Sequence, residues 1–94
     1  MNYKPRPIDT SEITLPAELT ELAEVLARNI HEIWAGRRRA EGWTYGGQRN
    51  DITREHPCLV PFPQLPEIEQ GYDREAALQT IKAIISLGYR IEKP

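Results

Sequence analysis

The sequence predicts a mainly α domain, α+β with minor strands: two principal antiparallel helices, a short helix and short strands. Three observations carry this. Two segments repeat apolar residues at steps of three and four, the mark of a helix with one buried face. A middle segment punctuated by Gly46-Gly47 and by Pro57, Pro61 and Pro63 separates them, and those residues favour turns over regular helix. The chain has 94 residues, which makes 1–94 a single domain with a small core and modest stability.

Residues 1–15 read as extended. Pro5 and Pro7 block helix and push Lys4 and Arg6 toward extended backbone, and Asp9-Thr10-Ser11 is turn chemistry. Ile13 and Leu15 flank Thr14, as in a short strand or an arm lying on the core. The first long helix is expected over 16–41. Pro16 suits a first helical position, Glu18 and Glu21 sit near the positive end of the helix dipole, and Arg37, Arg38 and Arg39 near the negative end. Its apolar face is Leu19, Leu22, Ala23, Leu26, Ile30, Ile33 and Trp34. Gly42 is the natural stop. A helix of that length spans about 39 Å at 1.5 Å per residue, so a break near Gly36 is also consistent with the pattern.

Residues 43–64 read as loop with one or two short strands. Leu59, Val60 and Phe62 need a surface to pack on, and the helices supply it. A short helix is expected to start at Pro66-Glu67-Ile68-Glu69 and end at Gly71. Asp73 then caps a final helix with Ala77, Leu78, Ile81, Ile84 and Ile85 on its apolar face and Gly88 at its end. Tyr89 and Ile91 alternate with charged residues, as in an edge strand. The expected core packs Leu19, Leu22, Leu26, Ile30 and Ile33 against Ile81, Ile84 and Ile85.

Composition removes several function classes. Twelve basic against 14 acidic residues leave a net charge of −2, which gives no general reason to expect nucleic-acid binding. No apolar run is long enough for a membrane span, and Met1-Asn2-Tyr3-Lys4-Pro5 carries no hydrophobic signal region. A cytoplasmic location is expected. The lone Cys58 excludes an internal disulfide and agrees with a reducing compartment.

The chemistry-bearing residues concentrate between 29 and 61. His31, His56 and Cys58 suggest zinc, but structural zinc needs four such ligands at tight spacings, and no metal or cofactor is expected. His31 reads better as a side chain that orients the loop through a hydrogen bond, and Cys58 as a small buried hydrophobe. A cysteine nucleophile needs a nearby cation and exposure. Only Arg54 is near in sequence, so no catalytic residue is assigned and no enzymatic activity is expected. Trp34 and Trp43 admit two readings: core packing, or an aromatic platform for a planar ring with neighbouring arginines holding an attached phosphate. Arg49 pairs with a carboxylate in the first reading and with a ligand in the second. Arg37–Arg39 complement the helix dipole in the first.

The order and spacing of several strings resemble the ryanodine-receptor repeat (RyR) domain, in its single-copy prokaryotic or phage form. These are Tyr3-x-Pro5-x-Pro7, Asp9-Thr10, Leu15-Pro16, Asn29-Ile30-His31-Glu32-x-Trp34, Gly42-Trp43-x-Tyr45-Gly46, Arg49-x-Asp51, His56-Pro57-Cys58-Leu59-Val60, Leu65-Pro66-Glu67 and Leu87-Gly88-Tyr89. The resemblance implies a small helix-rich fold with two main helices and short strands. It also implies a non-enzymatic binding or sensor module for a nucleotide-like aromatic anion. Trp34 and Arg49 match family positions near such a pocket, and Arg38, Trp43 and Tyr45 complete the candidate ligand-binding set. The alternative is a structural self-association or protein-docking module. Tandem pairing of repeats in the calcium-release channels implies that a single-copy chain forms a homodimer. Arg37-Arg38-Arg39-Ala40 has alanine where a basophilic kinase needs Ser or Thr, so the channels' phosphorylation is not carried over.

Overall fold

A computed structural model describes residues 2–94. Helix α1 spans Ala17–Ala40 and helix α2 spans Glu67–Ser86. Between them lie two two-residue strands, β1 (Thr44–Tyr45) and β2 (Glu55–His56), and a 3₁₀ turn over Phe62–Gln64. His31 and Trp34 border the same cavity as Glu69 and Asp73, whereas Glu24 pairs with Arg74. Rising numbers on α1 therefore meet falling numbers on α2, and the helices run in opposite senses. Among the described residues no helix is long and apolar enough to cross a membrane.

Both helices end by the same device. At α1 the amide of Trp43 donates to the Arg38 carbonyl (2.9 Å) and Gly42 to Arg39 (3.0 Å). At α2 Tyr89 donates to Ile84 (3.2 Å) and Gly88 to Ile85 (3.0 Å). Gly42 and Gly88 have φ of 91° and 98°, the left-handed backbone that such a closing turn requires and that glycine adopts without a Cβ clash. Pro16 and Pro66 stand just before the first turns, in extended conformation.

Several expectations are corrected. α1 continues through Gly36 without a break; one glycine inside a helix costs only about 1 kcal/mol, and the helix packing outweighs it. The short helix ending at Gly71 and the helix capped by Asp73 are one element. Gly71 and Asp73 lie inside α2, whose start is Pro66. The short helix is instead the 3₁₀ turn that begins after Pro61. Residues 13–15 and 89–91 form no strand. Thr10 anchors the N-terminal arm instead, its hydroxyl donating to Gln79 on α2 (2.7 Å). The core is Ala23, Ala27, Phe62, Leu65, Ala77 and Ile81. Leu19, Leu22, Leu26, Ile30 and Ile85 pack on it partly buried. Ile33 is 60% exposed and Ile84 also lies at the surface. Buried alanines on both helices let the backbones approach closely, and Phe62 and Leu65 from the middle segment fill the seam where larger helix side chains were expected.

Ile81 is 1% exposed and, with Phe62 at 2%, is among the most deeply buried large side chains of the described residues. Ile81→Ala is expected to cost about 2–5 kcal/mol in a urea melt, and Ile33→Ala within about 0.5 kcal/mol. Comparable losses at both positions would overturn this assignment of the core.

Candidate functional site

The middle segment has little regular structure to hold it, and side chains tie it down. His31, 4% exposed, meets the Val60 carbonyl with Nε2 at 2.7 Å. A carbonyl only accepts, so Nε2 carries the proton in the neutral ring. The sequence-based role of His31 as the residue that orients the loop is what the geometry contains. At the other end of the loop, Arg54 donates its guanidinium to the Glu41 carbonyl at the end of α1. Arg54 has φ of 56°, a left-handed backbone that a non-glycine residue holds only when its surroundings impose it. Asn50 Oδ1 accepts from the amides of Ile52 (3.0 Å) and Thr53 (3.1 Å), a local turn that reverses the chain. β1 and β2 then pair in parallel, Thr44 with Glu55 and Tyr45 with His56. A Cβ on Gly46 would stand 2.6 Å from the Glu55 Cβ, so glycine is needed there for the strands to approach.

This places a chain of rings along the end of α1. His31 stacks on Trp34 (5.7 Å, 25°) and meets the edge of Phe62 (6.2 Å). His56 stands edge-on to Trp34 (5.0 Å) and Trp43 (6.1 Å). The Arg38 guanidinium lies over both indoles, 5.9 Å from Trp34 and 5.3 Å from Trp43, and Arg49 lies 5.8 Å from Trp43. Four of the five sequence-predicted site residues, Trp34, Arg38, Trp43 and Arg49, therefore meet. Tyr45 does not join them: it is 60% exposed on β1. Trp43 is 8% exposed and serves packing. Arg49 is held by Asp51 at 2.9 Å, and Arg38 reaches Glu41 at 3.5 Å.

The cavity at this cluster, of about 230 Å³, is not the arginine-lined cleft expected. His31, Trp34, His56 and Cys58 wall it, and Glu69 and Asp73 from α2 complete it; no arginine lines it. Of the five predicted site residues only Trp34 lines the cavity; His31, His56 and Cys58 were singled out for other chemistry, and Glu69 and Asp73 were missed altogether. Their signal was an i, i+4 spacing on one helix face, hidden by ending a helix at Gly71. Burial pushes the Asp73 carboxyl up, with Glu69 adding and His31 opposing. The Cys58 thiol is likewise pushed up, first by burial and then by both carboxylates, and this favours the unreactive thiol. Among the described residues no three His, Cys, Asp or Glu side chains are grouped to hold a metal ion.

The family model described as RyR domain matches residues 3–93, nearly the whole chain.

His56 Nδ1 accepts the Cys58 amide at 3.0 Å, so the ring is neutral there. Its pKa is held below the ordinary 6.5 by burial first, then by Arg49 and Arg38, against weaker upward pulls from Glu69 and Asp51. An NMR titration should place the His56 midpoint below 6.5. Between the folded and unfolded values the unfolded chain binds more protons. The stability this group contributes is therefore full above about pH 6.5 and is lost as pH falls through the folded value. A midpoint at or above 6.5 would overturn the assignment.

Proposed function

The chain belongs to the RyR domain family, and on that premise we propose that it is a non-enzymatic binding module that takes the planar ring of a small molecule in the cavity beside Trp34. The carrying observation is the cavity itself: a half-buried indole with two imidazoles, set between two helices and a loop, where ligand sites commonly lie. A volume of about 230 Å³ falls below the 300–1,000 Å³ of drug-sized sites, so one ring fits and a whole nucleotide does not. For an adenine nucleotide, the base enters and the phosphate stays outside, toward Arg38 and Arg49. The non-enzymatic reading is supported by Cys58, kept toward its neutral thiol, and by histidines that each commit one ring nitrogen to the backbone.

Adenosine and AMP are expected to quench tryptophan fluorescence with micromolar or weaker affinity. Trp34→Ala should abolish the quenching and Arg49→Ala should weaken it for AMP only. No quenching by either at millimolar concentration, with the fold verified by circular dichroism, would sink this reading.

A second reading, pairing with another copy of this chain, rests on area. The accessible surface is 7592 Å², against roughly 5,500 Å² for a compact monomer of this mass. An apolar groove of about 700 Å³ with Leu19, Leu22, Val25 and Ile91 along it offers a face to cover. Light scattering at high micromolar concentration is expected to exceed the monomer mass of 10.8 kDa; a monomer mass would overturn the pairing.

A further inference from the structure

The acidic wall of the cavity has a consequence for what enters it. Ion pairs occupy Glu24 with Arg28 and Arg74, Glu41 with Arg38, Asp51 with Arg49, and Glu92 with Arg90. Among the described residues, Glu69 and Asp73 take part in none of these pairs, and no side-chain hydrogen bond reaches either carboxylate. They stand one turn apart on the same face of α2, a like-charge spacing that is unfavourable unless a cation relieves it. Complementing the helix dipole explains Glu69, which lies in the first turn. It does not explain Asp73, a turn further on, because the dipole effect fades within the first turn. Asp73 is also half-buried in a concave space rather than fully solvated. Trp34 borders the same cavity as the carboxylates, and an indole ring attracts positive charge, as the Arg38 guanidinium over it illustrates.

We propose that the cavity selects its ring by charge: it takes a planar group whose edge carries cationic or amine N–H donors, an amidinium-like head held by Asp73 and Glu69 against Trp34, and it rejects anions. This rests on the binding-module reading above and deepens it by naming the ligand chemistry. A flat N–C–N fork matches a carboxylate through two parallel charge-assisted hydrogen bonds, while its π-face lies on the indole. A carboxylate or phosphate in the same place would meet two like charges and no cation. The exocyclic amine of adenine satisfies the donor requirement in neutral form, which is why the base rather than the phosphate points inward.

Benzamidine, benzamide and benzoate share one ring and differ in charge, so they separate charge from shape. Binding is read by tryptophan quenching, and its location by amide and indole shifts of Trp34, His31 and Asp73. Benzamidine is expected to bind about tenfold or more tighter than benzamide, and benzoate not at all. Asp73→Asn with Glu69→Gln should remove the preference. Glu67→Gln, which removes an acidic residue of α2 outside the cavity, should keep it. Equal binding of benzamide and benzamidine, or a preference that survives the double substitution, overturns the charge selection. If adenosine shifts the Trp34 signals and benzamidine shows no preference, the ring site stands and charge selection falls. If benzamidine binds with the expected preference and adenosine does not bind, the adenine part of the reading above falls, and the ring site and its charge selection stand. If no probe moves these signals in the folded protein, both fall.

Discussion

His31 is the one buried ionisable side chain among the described residues, and the arrangement of the molecule turns on its bond to the Val60 carbonyl. Withdrawing an imidazole from water is costly unless it is hydrogen-bonded. Here the bond that offsets the cost also fixes where the irregular middle segment crosses α1. Phe62, two residues beyond Val60, then lands in the helix seam against the His31 ring edge, and Leu65 follows into the core. On the other side, stacking on His31 sets the plane of Trp34, which is the wall of the cavity. One polar contact therefore positions both a core element and the candidate site. Its loss would leave a buried donor and a half-buried acceptor without partners.

The helix pair supplies the frame but little of the specificity. Its seam is lined by Ala23, Ala27 and Ala77, so close backbone approach replaces bulky interdigitation. The bidentate pairing of Arg74 with Glu24 at 2.8 and 2.9 Å joins α2 to α1 at the rim. Arg28 and Arg74 also lie over the Phe62 ring, at 5.1 and 5.4 Å, and close the seam from the solvent side. Such exposed ion pairs contribute little on their own. Their guanidinium planes cover an aromatic surface that two helices are too few to enclose.

What was legible in the sequence is local physics. The stops at Gly42 and Gly88 follow from the need for left-handed backbone, and the bond made by His31 follows from a histidine without enough partners for a metal site. What was not legible depended on competition between local preference and distant packing. Gly71 and Asp73 carry turn and cap signals, yet α2 runs through them, because one glycine inside a helix costs only about 1 kcal/mol and an unbroken helix avoids a second costly nucleation. That error split Glu69 from Asp73 and concealed the acidic face. Ile33 fits the helical period, but the middle segment covers a narrower strip of α1 than the period allows. The Trp and Arg residues at 34, 38, 43 and 49 were found as a group because they cluster in the chain. That residues of α2 border the cavity beside Trp34 was not legible, because α2 lies far away in sequence.

The cavity draws its walls from three elements that are separate in the chain: α1, the loop carrying His56 and Cys58, and α2. No pair of them encloses it. The acidic wall is present only while α2 is docked on α1. A chain caught with α2 undocked has aromatic faces but no enclosed site, so completion of the site and completion of the fold are one event. A guest that touches both Trp34 and Asp73 would hold α2 in place and slow its local opening, as amide hydrogen exchange along α2 would register.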